Sequence, residues 1–299
     1  MSIFIFTDTT ADFPAQLQSQ FKDFDIMPLA YSLDEDNYDN VETKLPIDEF
    51  YRRVKAGAVT RTSMTPTYYM EQKMTALLEK GYDIIFDAVS SQISGEYNGG
   101  ESVVRELQKK YPSRKLAVID STTASGGEAL HCYELLKKRD EGATFEELVA
   151  YGEDLKHHIA SYFTCTDLRH LARLGRCSSV SALIGSVLKI MPVLYVNPIG
   201  KLVPIGKVIS RKKALKALVD KMEDRMLPVE QIDKVFITNA GCIEDAQFVA
   251  DLVKEKYGID SVISDIGPVI GSHTSTGCVA FFFLAKTRID VNDPEKFEE

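Results

Sequence analysis

Ser90, Ser91 and Ser94 follow directly on a short apolar run at 83–89, and the group closes on Gly95. A second set of hydroxyls, Thr62, Ser63, Thr65 and Thr67, surrounds Met64 and Pro66. Two more sets are Thr7, Thr9 and Thr10 around Asp8, and Ser121, Thr122, Thr123 and Ser125 after Asp120. His273 stands between Ser272 and Thr274, with Gly271 and Gly277 close by. Groups of these types can form a nucleophile with its base, or they can hold an anion through several hydrogen bonds. A nucleophilic serine needs a base within reach and a third group to orient that base. His273 with Asp8 or Asp120 supplies the residue types, but no G-x-S-x-G elbow is present. Anion binding needs no chemical step. Burying a carboxylate or phosphate is costly unless it is hydrogen-bonded several times, which accounts for recruiting several hydroxyls together. The same residues also make turns and helix caps. Thr65 before Pro66 reads as such a cap, which leaves Thr62 and Ser63 without a structural duty.

Other chemistries find little support. The segment from Gly200 to Gly206-Lys207-Val208 lacks the spacing and the closing Ser/Thr of a phosphate-binding P-loop, and no G-x-G-x-x-G follows a strand. Five cysteines, Cys132, Cys165, Cys177, Cys242 and Cys278, are scattered without C-x-x-C spacing. Histidines are few, and His157 and His158 adjoin each other on an expected exposed helix face. Neither a metal site nor a disulfide framework is expected, and reduced thiols suit a cytoplasmic protein. The net charge of -9 argues against nucleic acid or an anionic membrane as the main partner and favours a small ligand or another protein. The most apolar later stretch, 182–196, is broken by Gly185, Lys189 and Pro192 and is too short to span a bilayer. The run at 3–6 has no basic leader before it and reads as a first strand, not a signal peptide.

The elements that must position these groups alternate in the first half. Strands are expected at 3–6, 26–33, 83–89 and 116–119, and helices from Pro14 to about residue 21 and at 47–55, 68–80, 98–110 and around Leu130 to Leu136. Four strand ends thus deliver hydroxyl-rich loops, and parallel sheets bind ligands at the carboxyl ends of strands. After an amphipathic helix at 145–159 the rhythm changes. This places a boundary near residue 160, giving an N-terminal α/β domain at 1–160 and a C-terminal α/β domain with a mixed sheet at 161–299. The second half reads as a strand at 162–165, a short basic helix ending at Gly175, and an apolar helix at 180–189. A hairpin at 191–208 turns at Asn197-Pro198-Ile199-Gly200 and leads to a helix at 211–226. A further βα unit, a glycine- and hydroxyl-rich loop at 267–277 and a last strand at 279–284 complete it. Arg169, Arg173 and Arg176 together would make a docking patch.

Several motifs in this order resemble the DegV family of bacterial fatty-acid-binding proteins over nearly the whole chain. They are Thr7-Asp8-Thr9-Thr10-Ala11-Asp12, Thr62-Ser63, Ser90-Ser91-Gln92-Ile93-Ser94-Gly95-Glu96-Tyr97, Asp120-Ser121, Leu174-Gly175-Arg176, Lys189-Ile190-Met191-Pro192 and Ile266 through Thr274. The resemblance implies a two-domain α/β fold with a long-chain fatty acid between the domains. It implies a carboxylate held by Thr62 and Ser94, with Ser63, His273 and Arg176 nearby. Departures from the family pattern fall at Leu174, at Ser275-Thr276-Gly277 and at Met64-Thr65-Pro66.

Such proteins resemble the lipid-binding subunit of a bacterial fatty acid kinase, a non-catalytic carrier with no cofactor of its own beyond the bound acid. ATP and magnesium would sit on the kinase partner, transient membrane contact would be allowed, and a monomer is expected. Hiding a chain of roughly sixteen carbons is worth on the order of 10 kcal/mol before ordering costs, so an apolar tunnel is required. Ile184, Leu188 and Ile190, within the apolar stretch, are the candidates to line it. Two alternatives stay open: a stand-alone hydrolase or phosphotransferase using His273 and a serine, and a lipid-sensing regulatory protein.

Overall fold

The computed structural model describes residues 2–173, 175–177, 190–295 and 297. Its first sheet joins β1 (Ile3–Asp8), β2 (Phe24–Met27), β6 (Asp83–Ala88) and β7 (Leu116–Asp120), all parallel, in the order β2-β1-β6-β7. β6 is buried along its whole length, as a central parallel strand covered on both faces must be. Its side chains alternate between two cores. Ile84 and Phe86 meet α3 (Thr67–Leu78) and α4 (Glu96–Lys110) through Met70, Met74, Val103 and Leu107. Ile85 turns the other way, to α5 (Gly126–Asp140) and α6 (Phe145–Leu155), and packs with Leu135, Leu136 and Leu148.

The stretch expected as one strand at 26–33 is two strands in different sheets. β2 ends at Met27, Pro28 follows without a backbone N–H to donate, and β3 (Ala30–Leu33) joins β4 (Asp36–Tyr38) and β5 (Thr60–Ser63) in a small antiparallel sheet. Thr62 and Ser63 therefore close an edge strand and are not in a free loop. The helix expected from Pro14 is a single turn, α1 (Ala15–Gln18), and α2 (Ile47–Lys55) matches its expected bounds.

A second, mixed sheet contains β8 (Ile159–Thr164), β9 (Ile190–Val196), β10 (Leu202–Ile209), β11 (Lys234–Asn239), β12 (Asp260–Asp265) and β13 (Val279–Leu284), in the order β10-β9-β8-β13-β11-β12. Only β11 and β12 pair in parallel; β9 and β10 form the expected hairpin. α7 (Leu168–Arg173) precedes Gly175, α8 (Arg211–Asp220) stops six residues short of the expected 226, and α9 (Ile243–Tyr257) bridges β11 and β12. The helix expected at 180–189 lies outside the described residues. The stretch at 267–277, expected as a loop, is largely helix: Gly267 is extended and Pro268 opens α10 (Pro268–Thr274) with its φ already set.

The chain is thus a two-domain α/β fold, a parallel sheet with helices followed by a mixed sheet. The halves share a helix, because α5 packs on β1 and β6 and also on β8, β11 and β13. A cut at residue 160 would sever β8 after its second residue, and a boundary before Ile159 keeps that strand whole. Among the described residues no helix is long and apolar enough to cross a membrane.

Candidate functional site

The parallel strands deliver their carboxyl ends to one cleft, partly open to solvent, between the first sheet, the small sheet and the mixed sheet. Thr10 enters after β1, Val89, Ile93, Ser94 and Gly95 after β6, and Ala124 and Ser125 after β7. β5 contributes Thr62 and Ser63, and α10 contributes His273. The remaining wall is apolar and comes largely from the mixed sheet, with Phe163, Val196, Ala280 and Phe282 among its members. A cleft of this make-up, mostly apolar with a few polar groups, is the usual form of a small-molecule site.

Several of the polar lining groups make close contacts. Thr62 Oγ1 lies 3.0 Å from His273 Nε2. Ser94 Oγ accepts from the Glu96 N–H at 3.2 Å and so helps to start α4. Arg176 is exposed at the rim, where its Nε donates to the Ile93 carbonyl at 3.3 Å. Burial, and then the charges of Arg176 and His170, hold the His273 imidazole down to about 4, so it is neutral at neutral pH. Its second nitrogen, Nδ1, is buried with no hydrogen-bond partner among the described residues. A buried ring nitrogen in that state calls for a partner. An anion placed among Thr62, Ser94 and His273 would find neutral hydroxyl and imidazole donors, one guanidinium, and the amino end of α4.

Burial raises the acids that surround the cleft. Burial raises Glu96 to about 8, with Asp8 adding to the effect, and the Glu96 carboxyl accepts the Thr65 N–H at 2.8 Å. Thr65 is therefore not the side-chain cap expected: no side chain caps α3 among the described residues. Thr10 Oγ1 lies 2.5 Å from Asp8 Oδ1 and 2.8 Å from Glu128 Oε2. Burial next to Asp8 pushes the Glu128 carboxyl well up, which favours its neutral form. No group of three potential metal ligands occurs among the described residues.

α10 reaches the cleft because the N-terminal half clamps it. Tyr51 donates to the Ile266 carbonyl at 2.6 Å, Asp12 Oδ1 accepts the Gly267 N–H at 2.7 Å, and Thr60 donates to the Ser272 carbonyl at 3.0 Å. Asp12 Oδ2 also accepts from Ser125 Oγ at 2.5 Å, and Ser125 Oγ lies 2.9 Å from Thr238 Oγ1 on β11. On the opposite wall, fully buried Arg288 donates to Thr122 Oγ1, to the Thr122 carbonyl and to the carbonyl of Val196, a residue of the cleft wall.

Thr62, Ser63, Ser94, Arg176 and His273, far apart in sequence, all line this cleft. Ile184 and Leu188 lie outside the described residues. Ile190 does not line the cleft: it opens β9 opposite Ile209, at the end of the hairpin ladder away from Val196. The side chains of Arg169 and Arg173 also lie outside the described residues. The sequence reading noticed the hydroxyls of Thr10 and Ser125 without assigning them to the site. It missed Phe163, Ala280 and Phe282, whose strand alternation carries no sign of which buried face borders a ligand.

The chain matches the model of the DegV family of uncharacterised proteins over residues 2–286. It is 37% identical over 289 residues to a DegV domain-containing protein of Clostridium perfringens, covering 95% of this chain and 98% of that one. Among solved structures it is similar to DegV, a fatty acid binding protein from Bacillus subtilis, with 27% identity, a TM-score of 0.80 and coverage of 96% and 100%. It is likewise similar to a DegV lipid-binding protein from Thermotoga maritima, with 26% identity, a TM-score of 0.82 and coverage of 97% and 100%.

Proposed function

Because the chain belongs to the DegV family, we propose that it binds a long-chain fatty acid and presents the carboxylate to a partner fatty acid kinase, which phosphorylates it to an acyl phosphate. The observation that carries this reading is a largely apolar cleft in which a neutral His273 faces Thr62, with Ser94 and Arg176 also in the lining. A carboxylate there accepts from the hydroxyls and the imidazole and lies within the field of Arg176, while the acyl chain occupies the apolar remainder. The protein performs no step on the acid. The stand-alone hydrolase reading loses support, since no described carboxylate hydrogen-bonds His273 Nδ1 to orient the ring as a base. ATP and magnesium belong to the partner in this scheme, and the exposed rim carrying Arg176 is the face toward it.

Extraction of the purified protein under mild denaturant, followed by mass spectrometry for lipids, tests the reading on wild type and on the Thr62→Ala, Ser94→Ala double variant. A stoichiometric fatty acid from wild type and much less from the variant is expected. Wild type that neither carries nor takes up an acyl chain would overturn it.

A further inference from the structure

The far wall of the cleft is built on one file of side chains along β13. Alternation along a strand places Cys278, Ala280 and Phe282 on the same face, and all three line the cleft. The file begins just after α10, the helix that carries His273, and runs away from it at about 3.3 Å per residue. Its first two members are small and its third is large. On the neighbouring strand β8, Phe163 is the partner of Ala280 and Ser161 the partner of Phe282, so open space borders the level of Ala280 and Phe163.

At the level of Phe282 that face of the sheet is covered. α5 begins at Gly126, preceded by Ala124 and Ser125, which line the cleft, and then packs along β13, β11 and β8. The Phe282 ring is wedged against the first turn of this helix. A Cβ at Gly126 would fall 2.7 Å from the ring and one at Gly127 would fall 2.9 Å from it, so two glycines are what let the ring lie there. Thr238 and Ser161 close the seat from the sides, since the same two Cβ positions would meet them at 2.9 Å. The ring is thus buried, closely bounded by its neighbours, and set where the cleft meets helix-covered sheet.

Resting on the reading of the cleft as an acyl site, we propose that Phe282 is the stop that sets the length of acyl chain accepted, with the Gly126-Gly127 start of α5 as its backing. A chain whose carboxylate is held at Thr62, Ser94 and His273 extends along the β13 file until its terminal methyl meets the ring. Removing the ring lengthens the channel toward α5. Enlarging Ala280 shortens it from the same side. Each newly admitted methylene changes the preference between neighbouring chain lengths by about fourfold, the equivalent of burying one CH₂.

The test uses the full chain, delipidated and then offered an equimolar ladder of even-numbered saturated fatty acids, with bound acids read by mass spectrometry. Wild type is compared with Phe282→Ala, Phe282→Leu and Ala280→Leu. The two Phe282 variants are expected to shift the bound profile to longer acids, and Ala280→Leu to shorter ones. Phe282→Leu keeps most of the apolar volume, and Ala280→Leu leaves the ring in place, so a misfolded Phe282→Ala does not remove the test. Folded Phe282→Leu and Ala280→Leu proteins that keep the wild-type profile would overturn the assignment of Phe282 and leave the carrier reading standing. Wild type that takes up none of the ladder would overturn both.

Discussion

Asp12 offers a test of how the two halves are stapled together at the site. It occupies the left-handed region at φ 49° and joins three elements: Oδ1 accepts the Gly267 N–H at 2.7 Å, and Oδ2 lies 2.5 Å from Ser125 Oγ, which reaches Thr238. Burial lifts its carboxyl from 3.8 to about 8 against the opposing effect of these two hydrogen bonds, and the nearby charges of Asp265 and Asp8 push the same way. The native state therefore holds a proton that the unfolded chain releases near 3.8. Because the folded value is raised, its contribution to stability is complete below the unfolded value and is lost as pH rises through about 8. Within that window one extra native-state proton makes stability fall by about 1.4 kcal/mol per pH unit.

Asn at this position is neutral at every pH, tolerates the left-handed conformation, and can accept from Gly267 while donating to Ser125. Asp12→Asn is expected to flatten the decline of stability with pH by about 1.4 kcal/mol per unit, roughly 3 kcal/mol between about pH 5 and pH 7. Urea unfolding of both proteins at several pH values measures this. Glu96, also raised to about 8, keeps a residual slope in the variant. Two curves that run parallel across the window would mean that Asp12 is ionised in the native protein, and the neutral staple would be refuted.

Two further perturbations probe the walls of the cleft. Gly200 turns the β9–β10 hairpin at φ +90°, and a Cβ there would fall 2.1 Å from Ser90 Oγ, the hydroxyl that donates to the Gly200 carbonyl. Gly200→Ala should cost about 1–3 kcal/mol in urea unfolding through strain and the lost contact between the halves. Arg288 is fully buried, and although burial lowers it to about 10 it remains cationic at neutral pH. Arg288→Met removes its bonds to Thr122, Lys156 and Val196, leaving buried acceptors unpaired, and should cost about 3–5 kcal/mol by the same measurement. A loss below about 1 kcal/mol would show that water or rearrangement satisfies those carbonyls.

How much of this was legible beforehand depended on the range of the signal. Short-range patterns were readable: the buried run of β6, the helix α2, and the β9–β10 hairpin from its turn residues all stand where expected. The segment from 26 to 33 misled because its apolar pattern runs on through Pro28, and only pairing with β1 on one side and β5 on the other separates its halves. The hydroxyls at Thr62 and Ser63 stood out as types with no local duty, and such residues are where function overrides local structure. The apolar wall gave no such sign. Phe282 and Phe281 are equally buried aromatic neighbours on one strand, yet Phe282 borders the cleft and Phe281 does not. What separates them is the position of the α5 amino terminus over the sheet, set by glycines more than a hundred and fifty residues earlier in the chain. A polar binding group is marked by its own chemistry, whereas an apolar one is marked only by what fails to cover it. The acyl end of such a site can therefore be read only after the helix that bounds it has been placed.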